Sequence, residues 1–365
     1  MNTTAVSAAP RTNWNQVYSL LALNAALVIS WIAYHNYQPK VLEIFHFTEL
    51  KLFLIVAQGL ILVLIPPVAG VLGDFMIKRN GNSLVVFTVG VSVTAMVFML
   101  VAFTIGASST IDLTAALPFM IVVWLISMNV FHSPANSMLE MFAPAKDLPA
   151  AMALIVLTTE LLSAFEPLII EFVNLIGPVA TFSLGGALII ITGYFFRKAT
   201  GNVKFERDSE EATSKENKYF NVLIAGLTLG FASALIKNYM ADWMLSKPNF
   251  SITDDSSILV SGVLIISAVA AVPLVRYINK LGITTSLIYG LIVTFASLAL
   301  IYFIPSSAAT IVLSVIVGLS FSFASVAAFP YALSHLSPRH VTLGAGMFFG
   351  SVEVAESIIN YLQAA

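Results

Sequence analysis

The chain has 365 residues, 10% of them charged and 58% apolar, with a net charge of -2 and a mean hydropathy of +0.92; an ordinary soluble domain carries about 25% charged residues. A chain this apolar cannot cover its own surface in water, which excludes a soluble enzyme, a nucleic-acid binder and a disordered tail, and makes lipid the solvent for most of it. The net charge names no partner, and the absence of cysteine excludes disulfides, thiolate metal sites and thiol nucleophiles.

The amino terminus (MNTTAVSAAPRTNWNQ) is short and polar with one arginine. The apolar run after it is too long for a signal-peptide core and reads as a retained first span. Crossing the hydrocarbon core takes about 20 apolar residues. Eleven stretches meet that length: 17–37, 50–73, 83–105, 114–141, 149–174, 177–196, 219–245, 257–279, 283–304, 307–334 and 341–363. Eleven of the 36 charged residues lie between Arg197 and Lys218, in a segment of mixed sign without apolar periodicity. Such a segment is expected to be a solvated tether. It separates an N-terminal six-helix bundle (1–196) from a five-helix C-terminal bundle (219–365) through a charged linker (197–218). The expected fold is therefore an all-α polytopic membrane protein of two bundles with related halves. An even count would need a twelfth span after the eleventh; the expectation is either a truncated sequence or a protein that works without its last peripheral helix.

With the N-terminus inside, 13 Lys and Arg fall on the cytoplasmic side and 3 (Lys40, Lys51 and Lys247) on the other, while Lys237 lies within a span. The positive-inside bias predicts a cytoplasmic N-terminus. The expected location is the cell membrane, of the bacterial inner-membrane kind. Weak internal echoes support related halves. Pro134, Pro144, Lys146 and Pro149-Ala150-Ala151-Met152, around the opening of the fifth span, find counterparts in Pro330, Pro338, Arg339 and Gly344-Ala345-Gly346-Met347 at the eleventh. Mid-span Glu160 is matched by Glu353.

Between the second and third spans the chain reads Gly70-Val71-Leu72-Gly73-Asp74-Phe75-Met76-Ile77-Lys78-Arg79-Asn80-Gly81. This resembles the signature loop of the major facilitator superfamily: a glycine, an aspartate four residues on, then basic residues and a glycine. Phe75 departs from the pattern, which usually has a basic residue there. The resemblance implies a secondary transporter in which Gly70, Gly73, Asp74 and Arg79 latch the cytoplasmic side shut. The residues admit the same contact on physical grounds. Ala69 and Gly73 are small residues four apart that let another helix approach closely, and Gly346 and Gly350 at the start of the eleventh span offer a matching surface. Asp74 can then sit against the positive N-terminus of that span. The alternative is a plain polar turn with positive-inside charges. A second stretch, Phe329-Pro330-Tyr331-Ala332-Leu333-Ser334, then Pro338, Gly344 and Met347-Phe348-Phe349, is similar to the corresponding part of sucrose and glycoside–cation symporters and implies sugar-like solutes. The fifth span has Phe165-Glu166-Pro167 in place of the glycine-proline signature of drug antiporters, which counts against drug efflux.

Ionisable side chains within spans are costly and mark cavities or partners. In the first span Trp31, Tyr34, His35 and Asn36 lie toward the outer mouth; they can stack on a sugar ring, but the expected role is the interfacial aromatic belt. The fourth span carries Asn129, His132, Asn136 and Glu140 on one helical face, read as a substrate surface or else a packing stripe bonded to a neighbour. Glu160 in the fifth span is a proton-coupling candidate, and Glu166, about 120° round the helix, is expected to face elsewhere. In the seventh span Lys237 is about 12 Å from the outer helix end, too deep for simple snorkelling. It is expected to pair with Glu353 or Glu356, or to bind an anionic solute. Asn238 and Asp242 stack four apart and can hydrogen-bond a polyol. In the eleventh span Glu353, Glu356 and Asn360 share one face. Two carboxylates one turn apart in low dielectric resist ionising together, the property proton coupling needs. Structural pairing of these acids is the alternative. His335 and His340 flank a cytoplasmic turn and receive no role.

The expected function is secondary active transport of a small polar solute, sugar-like or an organic anion, by proton-coupled symport. The alternatives are an efflux antiporter, an uncoupled facilitator, or a non-transporting membrane sensor. An enzyme is not expected: the sequence has no HExxH, GxSxG or GxxxxGK[ST] pattern, and no two of its five histidines share a span. No cofactor or metal is expected beyond a transmembrane proton or Na⁺ gradient. The expected partners are the solute and the bilayer, with no nucleic acid, and the expected state is a monomer.

Overall fold

The computed structural model describes residues 11–44, 51–107, 114–203 and 216–364. Regular structure among the described residues is entirely helical, as a hydrocarbon solvent demands, because a helix satisfies its own backbone hydrogen bonds. The N-terminal part comprises α1 (Trp14–Ile44), α2 (Lys51–Asn80), α3 (Leu84–Gly106), α4 (Leu117–Ser137), the short α5 (Leu139–Phe142), α6 (Leu148–Ala164) and α7 (Glu166–Thr200). The C-terminal part comprises α8 (Tyr219–Leu235), a π-helical turn (Ile236–Met240), α9 (Ala241–Leu245), α10 (Ser256–Leu281), α11 (Ile283–Phe303), α12 (Ser307–Ser334) and α13 (Val341–Ala364).

Ten helical segments among the described residues are long and apolar enough to cross a membrane, and α6 is a shorter apolar helix. The expected eleven stretches are reconciled at Gly177, whose φ of 80° and ψ of 170° break α7. Thr181 Oγ1 donates to the Val173 carbonyl at 3.3 Å, whereas eight residues of straight helix would separate them by about 12 Å. The chain turns back here, and Pro178 begins the new helix. The first part of α7 prolongs α6, since the Phe165 N–H donates to Leu161 O and the Ile169 N–H to Phe165 O. One boundary needs correction. The helix continues through Arg197 and Lys198 to Thr200, so the start of the expected linker is helical. Residues 204–215 lie outside the described ones. The linker's far end is pinned to the turn between α12 and α13: Lys218 N–H donates to His335 O, and Ser337 N–H to Asn217 Oδ1 at 2.7 Å.

Within the N-terminal part, α1 and α3 pack on α7, and α4 packs on α2 and α3. Within the C-terminal part, α12 packs on α10 and α11, and α8 on α13. Two seams join the parts, α2 against α13 and α6 against α10. The interior of the N-terminal part is aromatic, with Phe87, Phe98, Phe131, Phe142 and Phe196 fully buried. A matching pair of interhelical hydroxyl bonds links Thr94 to Ser127 between α3 and α4 (2.9 Å) and Thr294 to Ser320 between α11 and α12 (2.8 Å). Large side chains such as Phe119, Leu175, Phe220 and Phe303 are exposed on the outside, where acyl chains rather than water receive them.

Candidate functional site

At one end of the molecule α2 and α13 meet without a gap. Asp74 accepts the Thr342 N–H at 3.2 Å and the Leu343 N–H at 2.9 Å. These belong to the first turn of α13, whose amides have no intrahelical acceptor and whose dipole favours a negative charge. Glycines permit the approach: a Cβ on Gly70 would lie 2.5 Å from the Thr342 carbonyl oxygen, one on Gly73 would lie 2.6 Å from Thr342 Cγ2, and one on Gly346 would strike Pro66 O. Helix α4 joins the seal. Ser137 Oγ donates to Thr342 Oγ1 at 3.3 Å, and Ser133 Oγ donates to the Pro66 carbonyl at 3.2 Å. Arg79 is exposed and forms no ion pair among the described residues.

Farther along the same helices the two parts separate around a cavity of about 290 Å³. Its walls are Val28, Trp31, Ile32 and His35 of α1, Gln58 and Leu62 of α2, Ser163 of α6, Glu166 of α7, Lys237 of the π turn, and Glu353, Glu356 and Ser357 of α13. Glu356 Oε1 accepts from Ser233 Oγ at 2.8 Å and from Lys237 Nζ at 3.4 Å. The side chain of Lys237 keeps 40% of its surface accessible although protein encloses it, because it faces the void. Glu160 and Glu353 are also within electrostatic reach of Lys237. Oε2 of Glu160 is buried without a hydrogen-bond partner among the described residues. The site thus sets one ammonium among several carboxylates, with hydroxyl, amide and indole groups beside them.

The structure separates the expected residues into two sets. Glu353, Glu356 and Lys237 line the cavity, and Glu160 lies near it. The polar stripe of α4 does not line it, which corrects the cavity reading. Asn129 donates to the Leu125 carbonyl of its own helix, Asn136 exchanges hydrogen bonds with Asn24 of α1, and His132 packs on Phe349 with ring centroids 4.3 Å apart. These are packing contacts in the sealed half. Asn238 and Asp242 also stand outside the wall: Asn238 donates to the Ala234 carbonyl, and Asp242 is exposed. The aromatic-belt reading of the first span is corrected as well. Trp31 and His35 face the cavity with tilted rings 5.4 Å apart, and Tyr34 is buried and stacked on Trp124 at 4.4 Å. The side chain of Asn360 lies outside the described residues.

Sequence reasoning missed Glu166, Gln58, Ser163, Ser233 and Ser357. For Glu166 a signal exists in Pro167. Proline has no N–H to continue the ladder, the helix is locally distorted at Phe165 (φ -90°, ψ 11°), and Glu166 next to it lines the cavity. The π turn at Lys237 has no sequence signature. Such turns interrupt α-helices mostly at functional positions.

A profile of the Major Facilitator Superfamily matches residues 10–358. The chain belongs to the major facilitator superfamily. Three solved structures share its fold across nearly its whole length. The human organic anion transporter MFSD10 (TETRAN) aligns with a TM-score of 0.66 at 12% identity, covering 95% of this chain and 92% of that one. The E. coli fucose:proton symporter FucP aligns with a TM-score of 0.64 at 11% identity, covering 94% and 90%. A structure of FucP described as being in the outward conformation aligns at 0.68 and 12% identity, covering 95% and 91%. The search of curated proteins returns no match. As a superfamily member with these spans, the chain is a multi-pass membrane protein of a transporter family.

Proposed function

We propose that this protein is a secondary active transporter that moves a small polar solute, sugar-like or an organic anion, by alternating access coupled to protons. The observation that carries the reading is the cavity in which Lys237 meets Glu356 and Glu353, with Glu160 close by. A carboxylate left unpaired when such a cavity closes is costly in low dielectric. A proton on Glu353 or Glu356 removes that cost, so loading with proton and solute favours the change of access. Trp31 offers a ring face for a sugar, Gln58 and Ser357 offer hydrogen bonds, and Lys237 offers a cation for an acidic solute. The names of the structural neighbours, a fucose:proton symporter and an organic anion transporter, support the same two solute classes. On this reading the N-terminus is cytoplasmic in a bacterial-type inner membrane, the α2–α13 seam is the cytoplasmic latch, and the structure is a cytoplasm-closed state of a monomer.

The test is uptake of a panel of sugars and organic acids into liposomes containing the full chain, with and without an imposed pH gradient. The wild type should accumulate its solute with the gradient, and Glu353→Gln and Glu356→Gln should lose the gradient-driven component. Uptake indifferent to the gradient would remove proton coupling and leave a facilitator. No uptake across the panel would favour a sensor.

A further inference from the structure

A second concavity lies away from the cavity, on the outside of the N-terminal part. It is a furrow of about 360 Å³ between α3 and the last turns of α7, within the roughly 300–1,000 Å³ range of ligand sites. Ser92, Met96 and Met99 are exposed along its α3 wall. At its floor Gly193 lets α7 close on α3, where a Cβ would come within 2.6 Å of Val91 Cγ1. Its lining runs along α3 from Phe87 to Met99. Those thirteen residues span twelve helical rises, about 18 Å, against about 15 Å for the hydrocarbon of one leaflet.

The charge pattern is one-sided. Helix α3 carries no charged residue, and from Val173 onward α7 carries only Arg197 and Lys198. Arg197 lines the end of the furrow beside Tyr194, is exposed, and forms no ion pair among the described residues. We propose that this furrow binds one anionic phospholipid of the surrounding bilayer, an acyl chain lying along Ser92, Met96 and Met99 and the phosphate meeting Arg197. A guanidinium matches phosphate through paired parallel hydrogen bonds, and Tyr194 stands at headgroup level, where aromatic side chains favour the interface. The site is specific in its charge. A wider furrow on the C-terminal part, about 430 Å³ between α10, α11 and α12, has no charged lining residue, so it offers an anionic headgroup nothing over a zwitterionic one.

The experiment titrates the detergent-purified full chain with phosphatidylglycerol or phosphatidylcholine of identical acyl chains and counts retained lipid by native mass spectrometry. The wild type should retain phosphatidylglycerol in preference. Arg197→Gln should weaken that binding about fivefold, the worth of one basic side chain at a membrane surface, and leave phosphatidylcholine unchanged. Arg197→Lys should keep part of the preference. Ser92→Phe, which fills an exposed position in the furrow, should remove the preferentially retained lipid while circular dichroism confirms the helices. Arg276→Gln, a cation outside both furrows, should change nothing. Equal retention of both lipids by the wild type, or an Arg276→Gln loss as large as that of Arg197→Gln, would overturn the proposal by reducing it to general surface charge.

Discussion

Helices α2 and α13 meet twice, in opposite ways. In one half of the molecule Gly70, Gly73 and Gly346 bring backbone against backbone, and the Asp74 carboxylate sits on the free amides of α13. In the other half the same two helices leave a void of about 290 Å³, faced by Gln58 and Leu62 from α2 and by Glu353, Glu356 and Ser357 from α13. The difference lies in side-chain size and charge at successive turns of one helix pair. Small residues with a single anion let the two helices meet backbone to backbone. Longer polar and ionisable residues face one another across an open space instead.

The largest effect should come from closing off the tight half. A Cβ at Gly346 would strike the carbonyl oxygen of Pro66, a backbone atom that cannot rotate away. Gly346→Leu should therefore disfavour the sealed seam by about 1–3 kcal/mol, or roughly 5- to 150-fold in its population. Spin labels at exposed Lys78 and Arg339 should report a longer distance between α2 and α13 by pulsed electron resonance, and uptake should fall with it. An unchanged distance would mean that the seam tolerates bulk and that the contrast between the halves is not steric.

In the open half the matching change is Lys237→Met, which leaves Glu356 the hydrogen bond from Ser233 and sets carboxylates against one another without a cation. The pair is part-exposed, at 40% and 25% of its side-chain surfaces, so its loss should cost less than a fully buried pair. About 1–2 kcal/mol is expected, read as a lower Tm, together with loss of gradient-driven uptake. Normal uptake would show that the carboxylates work without the lysine.

Asp74→Asn should have a smaller effect. Asparagine keeps one acceptor for the α13 amides and loses the charge that the helix N-terminus favours, worth about 1 kcal/mol. Membrane insertion should be intact, turnover reduced, and the seam population shifted about fivefold, visible with the same spin-label pair. Normal transport by this variant would remove the latch role.

How legible these two halves are from sequence follows from what each requires. Apolar runs announce themselves because lipid leaves the backbone no alternative to a helix, so α3, α11 and α12 lie close to their expected ranges. The seam was also readable, since Gly70, Gly73 and Asp74 fall on one short motif. The cavity was readable only where charge marks it, at Glu160, Lys237, Glu353 and Glu356. Gln58, Ser163 and Ser357 are single neutral residues on four different helices counting their cavity neighbour His35, and no one-dimensional pattern gathers them. The α4 stripe shows the converse. Asn129, His132 and Asn136 have a perfect helical period and still serve packing, because periodicity tells which residues share a face but not what that face meets.

The smallest prediction provides a control for Asp74. Asp255 is likewise a carboxylate on a helix N-terminus, but it caps its own helix, α10, and joins no two parts of the molecule. Its Oδ1 accepts from Ser257 Oγ at 2.7 Å and Ser257 N–H at 2.8 Å, and these bonds hold the carboxyl below the usual carboxylate range. A group whose native pKa is depressed contributes stability that is complete above its unfolded value, near 3.9, and that is lost as pH falls through the lower native value. Asp255→Ala should therefore lower Tm slightly at pH 7, and the difference from wild type should shrink as the buffer is taken below about pH 4. The Lys78–Arg339 distance should not move. If it did, capping at one helix end would be coupled to the seam at the opposite end, and the division of α2 and α13 into a latch half and a cavity half would have to give way to a single, globally cooperative contact.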